Sequence, residues 1–487
     1  MPDSDRIDET DAHPMDEAEH TQTEVRPPSS VDDNEDPAAD DYSNDHVPLS
    51  ARVPRFTLTM SGWSMITGMA WLFFGALAGT LYGTRQALVG LTVFTVGFAV
   101  LNSPMVRIGA LSGLSSTLVS RRLFGKAGGM LIAVLVGATT IYYAVFESSV
   151  VAVGFHEYWG GDLRLWSLVV VLAMLPLMMG GVLTWMHKLN GILLPVYIVG
   201  MVAAVILAAK NGNPTEFLDF PGVIPPEARG IPGWLAIVLL YLGVSLNMIS
   251  TLDFARFSRL EDIGYHQRIT FGWVFSIIVF PVTGAAGMFL AQMAFPGSVP
   301  TEAGVVVGLI GTLGFAGLVL IVATQIRINT LNFYMSSMNA QRLIYQLSGR
   351  RVGRKPLVVA SAVLVFVLML TDVFSYMEKA LQWQSIFFAG WVAIVLTHVL
   401  IAGSGALMGD VPRRVPSLRP ATVVWTISAA VGISLLESPS LWATGSNIAP
   451  IITILVAVVG YVPFAVRSRS DAGAASTAQQ FVGAADD

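Results

Sequence analysis

Twelve apolar segments, each of roughly 17–24 residues, fill the chain from residue 59 to residue 466 and leave no room for a water-soluble core. A helix of that length crosses a hydrocarbon layer about 30 Å thick, so the expectation is an all-α multi-pass membrane protein. The segments lie near 59–82, 87–106, 127–150, 166–186, 189–209, 233–254, 269–295, 304–326, 356–372, 385–405, 421–437 and 448–466. Basic residues test this count. With the N-terminus inside, the inner side collects Arg52, Arg55, Arg107, Arg121, Arg122, Lys126, Lys188, Arg256, Arg259, Arg268, Arg342, Arg350, Arg351, Arg354, Lys355, Arg413, Arg414, Arg419, Arg467 and Arg469. The outer side has only Arg85, Arg164, Lys210, Arg229 and Lys379. Twenty against five is the asymmetry of the positive-inside rule, and one missed crossing would put every later loop on the wrong side. Both termini are therefore expected on the cytoplasmic side of the plasma membrane.

The net charge of −5 averages two unlike regions. Residues 1–50 hold 16 acidic residues and 2 arginines, a formal −14, whereas the remainder has 17 acids against 26 bases, a formal +9. An acidic stretch rich in Pro and Ser buries too little apolar surface to offset its ordering entropy, so 1–50 is expected to be a disordered cytoplasmic tail. It has no signal-peptide pattern, and the first apolar segment is expected to direct insertion. Cysteine is absent, which removes disulfides, thiolate metal sites and cysteine nucleophiles. No two of His156, His187, His266 and His398 have zinc-ligand spacing, and no phosphate-cradling loop occurs. These patterns call for no cofactor, no metal and no nucleic acid, and they exclude an ATP-driven pump encoded in this chain alone. An intramembrane enzyme is disfavoured too, because no Ser/His/Asp set converges at one depth.

The segment 107–126 is basic and amphipathic and is expected to lie along the inner membrane face. Residues 210–232 carry Pro214, Pro221, Pro225, Pro226 and Pro232, a stiff outer connection after five crossings. Five is odd, so a second five-span unit would enter from the opposite side and produce an inverted repeat. Span one has Gly62, Ser64, Thr67 and Gly68 before its middle, and span six has Gly243, Ser245, Asn247, Ser250 and Thr251. Such residues allow a helix to break and expose backbone groups, or else to pack closely on a neighbour.

Three charges stand within or at the edge of spans. Each costs about 2.5–3.5 kcal/mol at the bilayer centre on insertion scales, so each needs a partner or water. Asp253 ends span six and is expected to pair structurally with Arg256 or Arg259. Glu147 lies in span three with no counter-charge in the neighbouring turns, and Tyr143 is one turn earlier on the same face. A ring beside a carboxylate can stack a flat ligand while accepting its N–H groups; burial as a neutral acid, or pairing with Arg327, is the alternative. Arg327 in span eight cannot shed its charge. It sits among Gln325, Asn329, Asn332, Tyr334, Ser336, Ser337 and Asn339, a density of polar groups that lines a cavity or pathway. His398 in span ten is expected to be a packed histidine.

These features resemble the nucleobase–cation symporter family, the purine/cytosine permeases, over about residues 50–470. The resemblance rests on RRLFGKAGG, on STLDFARFSR at the end of span six, and on NTLNFYMSSMNAQ in span eight, where Asn329, Asn332, Tyr334 and Gln341 match the family pattern. It implies a LeuT-like core of ten helices in a 5+5 inverted repeat (about 51–210 and 233–405). Two further transmembrane helices (406–467) and a C-terminal tail (468–487) would follow. Substrate would bind between spans one, three, six and eight. Tyr143 and Glu147 match the family's spacing of an aromatic residue and a Gln-like residue on span three. Gly68, Asn247, Gln325, Asn329 and Asn332 are the other expected substrate contacts. Two departures matter. Val244 falls where many members stack the base on an aromatic ring, with Tyr241 or Trp234 as possible substitutes. Sodium-coupled members bind the ion between spans one and eight, near Ser64, Thr67 and Thr324 here, yet Arg327 replaces an expected small hydroxyl residue. A guanidinium there would repel Na⁺ by several kcal/mol at low effective dielectric, on the order of the Coulomb energy of close like charges. The expectation is therefore a secondary transporter of a small nitrogenous heterocycle coupled to protons rather than sodium through Glu147. Its rivals are binding of an anionic substrate by Arg327 and a non-transporting sensor on the same scaffold.

Overall fold

The computed structural model describes Tyr42 and residues 45–483, except 180–181, 212–213, 229, 295–301, 372–373 and 408–414; side chains at 178, 182–190, 211, 228, 294, 302–304, 374, 406 and beyond 470 are also left undescribed. Most of the acidic tail, together with Lys188, Arg229, Arg413 and Arg414, lies outside what is described. The described residues are mostly helical, and their one β-contact is the isolated bridge between Val53 and Ser258.

Among the described residues, eight helices are long and apolar enough to cross a membrane and a bent pair makes a ninth, while Leu163–Met179, Arg354–Met369 and Pro420–Leu436, named below as spans, are shorter. Span one is that pair: helix Arg55–Gly62, a tight 3-10 stretch Trp63–Thr67, and helix Ala70–Tyr82, bent by 42°. Gly68 between them has ψ 126°, off the helix. Span two is Thr84–Ser112; Ser116–Trp159 comprises a short helix and, past the non-helical Gly125, span three; spans four and five are Leu163–Met179 and Val182–Asn211. Span six (Gly233–Ala255) tightens into a 3-10 turn over Leu242–Ser245 without leaving helical geometry. Span seven (Leu260–Met293) contains two π-helical turns, His266–Thr270 and Ile278–Val282. Spans eight to ten are Phe315–Ser348, Arg354–Met369 and Met377–Ala402. The trailing spans are Pro420–Leu436 and Ala449–Gly483, the last running past its expected end at 467.

One sequence expectation changes. The apolar run 304–326 is two helices, Glu302–Leu313 and span eight, separated at Gly314 by φ 58°. Only glycine takes that conformation at no steric cost, so the break is local. Span eight is thereby shifted towards the C-terminus, and Arg327 falls well inside it. The stretch before span three is packed into the bundle along one side. Ser116–Phe124 is helical and its Leu118, Val119 and Phe124 are buried. It turns into span three at Gly125, whose φ of 87° again requires glycine. Its serines explain the burial: Ser120 accepts from Trp391 Nε1 at 2.9 Å, and Ser116 hydrogen-bonds Asp253.

The core is one large apolar cluster between the spans, with a small second one of Ile386, Ala429 and Ala449 where span ten meets the trailing spans. Close helix contact relies on missing side chains: a Cβ on Gly75 of span one would lie 2.2 Å from the carbonyl oxygen of Gly284 in span seven. The trailing spans pack against span ten and the short helix before span three. Trp425 Nε1 donates to Phe387 O at 2.9 Å, and Thr422 Oγ1 donates to Phe124 O. They leave the centre of the bundle to spans one, three, six and eight.

Candidate functional site

The break in span one exposes backbone groups, and a cavity forms against it. Met65, Gly68, Ala70, Trp71 and Phe74 of span one form one wall. Thr140, Tyr143 and Glu147 come from span three, Val244, Asn247 and Ser250 from span six, and Ile328, Leu331, Asn332 and Met335 from span eight. The cavity offers about 50 Å³ to the centres of water-sized molecules, where a single water needs roughly 10–15 Å³. It is compact and mostly apolar, with a few polar groups that can orient a ligand.

Glu147 is 2% exposed. Its Oε1 accepts from the Ala70 amide at 3.4 Å, the first helical N–H after the break, and Gln325 faces the same carboxyl group. Its Oε2 has no hydrogen-bond partner among the described residues, and the carboxyl has no ion-pair partner among them. Gly68 leaves room for this group: a Cβ there would lie 3.1 Å from Oε1. Tyr143 is half-buried, and its hydroxyl donates to Gln384 Oε1 of span ten at 2.7 Å. The Nδ2 of Asn332 has no partner among the described residues either.

Of the expected substrate contacts, Gly68, Tyr143, Glu147, Asn247 and Asn332 line the cavity. Gln325 and Asn329 stand behind it. Asn329 Nδ2 donates to Ser148 Oγ at 3.1 Å and approaches Met174 Sδ at 3.4 Å, tying span eight to spans three and four.

Arg327 is fully buried and does not line the cavity. Its Nη2 donates to the carbonyl of Trp63, in the 3-10 stretch of span one, at 3.1 Å, and Tyr197 of span five lies near its guanidinium. Ser64, Thr67 and Thr324 surround the same junction. Each turns its hydroxyl back onto its own helix: Ser64 to Ser61 O at 2.7 Å, Thr67 to Ser64 O at 3.2 Å, Thr324 to Ile321 O at 2.7 Å. The carboxyl group and the guanidinium thus meet span one on either side of its break.

The second charged cluster corrects the expected partner of Asp253. Its ion pair is with Arg342 of span eight at 3.2 Å, both side chains buried. Ser116 supplies an N–H at 3.1 Å and a hydroxyl at 2.6 Å. Arg256 instead donates to Asp253's backbone carbonyl at 3.0 Å and to Tyr42 O at 2.6 Å. Arg259 makes an exposed contact with Glu261. The reason is geometric: the short helix before span three and the end of span eight converge on Asp253, while Arg256 points back along its own helix. His398 packs against Tyr461 of the last span, 3.1 Å from its hydroxyl.

Sequence reasoning missed Trp71, Phe74, Thr140 and Gln384. Trp71 had a readable signal, an aromatic residue three positions past Gly68, whereas Gln384 had none. Neither suggested substitute for Val244 lines the cavity: Tyr241 joins a ring cluster with Phe74, Phe94 and Phe280, and the Trp234 amide donates to Gln86. The aromatic surface comes from Trp71, held by its Nε1 donating to Met65 O at 2.6 Å.

No family model matches this sequence, and no curated protein matches it either. Solved structures do. The chain is similar to Mhp1, a nucleobase-cation-symport-1 family transporter, in a closed conformation with bromovinylhydantoin bound: TM-score 0.67, 13% identity, 88% of this chain and 96% of that one. Against the inward-facing conformation of Mhp1 the TM-score is 0.65 at 16% identity, covering 88% and 93%. A Na⁺-coupled sialic acid symporter in a substrate-bound outward-open state follows with TM-score 0.54 at 12% identity, covering 88% and 92%. A manganese transporter of Eremococcus coleocola gives 0.55 at 13%, covering 86% and 97%. At these identities the likeness is one of fold: a multi-pass helical membrane protein with a LeuT-like ten-helix inverted-repeat core and two helices beyond it.

Proposed function

We propose that this protein is a secondary active transporter of the nucleobase–cation symport kind, carrying a small nitrogenous heterocycle together with a proton. The observation that carries the reading is the Glu147 carboxyl group. One oxygen is tied to the span-one break through Ala70, and the other is unpartnered among the described residues on the cavity wall. A flat ring fits between the aromatic faces of Trp71 and Tyr143. Its N–H groups meet Glu147 Oε2, and its carbonyl or ring nitrogens meet the amide of Asn332 and that of Asn247. Purines, pyrimidines, hydantoins and ureides share that chemistry, and the solved Mhp1 complex with a hydantoin supports it.

Coupling follows from the same contacts. A charged Glu147 draws in the Ala70 N–H, whereas a protonated one loosens that hold on span one while its carbonyl oxygen still accepts from the ligand. Protonation and the posture of the broken helix are thereby linked, as alternating access requires. Arg327 occupies the junction of spans one and eight and holds a span-one carbonyl as a bound cation would. A fixed positive charge there disfavours Na⁺. An anionic ligand held by Arg327 is the weaker reading, since the guanidinium is absent from the cavity wall.

Uptake into proteoliposomes tests this, using nucleobases, hydantoins, allantoin and carboxylates as competitors, with and without Na⁺ and with an imposed pH gradient. Accumulation driven by an acidic exterior and competed by heterocycles is expected. Sodium-dependent uptake indifferent to pH would refute the coupling; competition by carboxylates alone would refute the substrate class.

A further inference from the structure

We infer that Gln384 of span ten is a positioning residue that sets ligand selectivity by fixing the ring of Tyr143, although it does not itself reach the ligand. The inference rests on the heterocycle reading above. Gln384 is 8% exposed, is not part of the cavity wall, and accepts the Tyr143 hydroxyl proton at 2.7 Å. It gets there because the first turns of span ten lie directly on the tightened turn of span six. A Cβ on Gly243 would stand 2.4 Å from the carbonyl oxygen of Leu381, so that approach is open only to glycine. Spans three, six and ten are thereby tied at one point beside the cavity.

A phenol pivots about two side-chain bonds, and only its far end can be anchored without filling the space its face presents. The neighbouring Tyr142 ring, with centroids 5.9 Å apart and planes at 56°, confines it from one side but offers no anchor in the plane. With the hydroxyl held by Gln384, the Tyr143 face is set at one angle to Trp71, and the gap between the two rings admits ligands of a given thickness and width. Without that anchor a buried hydroxyl must find another partner, and the ring turns with it. One neutral hydrogen bond is worth about threefold to tenfold in an equilibrium constant.

The test compares inhibition constants for the nucleobase and hydantoin panel across wild type, Gln384→Met, Gln384→Glu, Tyr143→Phe and the Tyr143→Phe/Gln384→Met double variant, each checked for thermal midpoint. Gln384→Met is expected to weaken the best ligand about threefold to tenfold and reorder the panel. Tyr143→Phe should do the same, with the double variant no worse than either single, and Gln384→Glu, which keeps an acceptor, should restore the wild-type order. If Gln384→Met does not fold, Tyr143→Phe with unchanged order overturns the inference by itself. Additive effects in the double variant overturn it as well, since independent residues add. A wild type that binds nothing in the panel ends the heterocycle reading. A wild type that binds, beside a folded Gln384→Met with the same order and affinities, ends this inference alone.

Discussion

Two groups of charged and amide side chains are buried in this bundle, and they are made differently. Around Asp253 the bonds close: Oδ1 accepts from Arg342 and the Ser116 amide, Oδ2 accepts from Ser116 Oγ, and Arg342 continues to Thr117 and Asn339 at 3.3 and 3.4 Å. Around Glu147 they stay open: Glu147 Oε2, Gln325 Oε1, Asn329 Oδ1 and Asn332 Nδ2 have no hydrogen-bond partner among the described residues. Each such buried group left unmade costs about 1–3 kcal/mol, so a chain retains several of them in one place for something other than stability. The closed group belongs to the architecture and joins spans six and eight to the helix before span three. The open group lies at the cavity, with Glu147 and Asn332 on its wall and Gln325 and Asn329 behind them.

The contrast is broken most severely at its closed side. Arg342→Ala leaves Asp253 charged and buried and is expected to destabilise the fold by about 3–5 kcal/mol, seen as loss of monodisperse protein or a large drop in thermal midpoint. Asp253→Asn combined with Arg342→Met should recover much of that loss; if the single change has no effect on the midpoint, the structural role is wrong. Glu147→Gln should behave in the opposite sense, cutting proton-driven uptake about tenfold or more, close to 1.4 kcal/mol per decade, with the midpoint nearly unmoved. A collapse in stability there would erase the distinction between the two groups. Arg327→Ser is expected to make uptake a few-fold faster in Na⁺ than in choline, because it frees the Trp63 carbonyl and removes the opposing charge. Ion-insensitive uptake would show that the guanidinium does not stand in for a cation. The smallest effect is reserved for Gly68→Ala. Its Cβ would lie 3.1 Å from Glu147 Oε1 and 3.4 Å from both Ile328 Cγ1 and Trp71 Nε1, so ligand affinity should fall about threefold while folding is unaffected. Equal affinity would mean the cavity is less tightly walled on that side than the structure has it.

Much of the site could be read along single helices. Tyr143 and Glu147 share a face because four residues make roughly one turn, and both do line the cavity. The polar stripe Gln325–Asn329–Asn332 was also visible, but only Asn332 reaches the cavity; Asn329 turns to Ser148 and Met174. A stripe spans an arc wide enough to serve two neighbours, and span eight sits between several. Asp253 was recognised as structural while its partner was misplaced, because Arg342 lies 89 residues away. The 304–326 segment read as one crossing, since Gly314 adds no polarity to an apolar run.

What the sequence determined by itself was the membrane as solvent and the residues too polar to be there by accident. Each of these follows from hydropathy, charge placement and a 3.6-residue turn, all local quantities. The tertiary structure alone decided that Glu147 opens onto the cavity while Arg327 turns to Trp63, that Trp71 supplies the aromatic wall, and that Gln384 holds Tyr143. Those depend on how each helix is rotated and displaced against the others, which packing across the whole bundle sets and no single segment encodes.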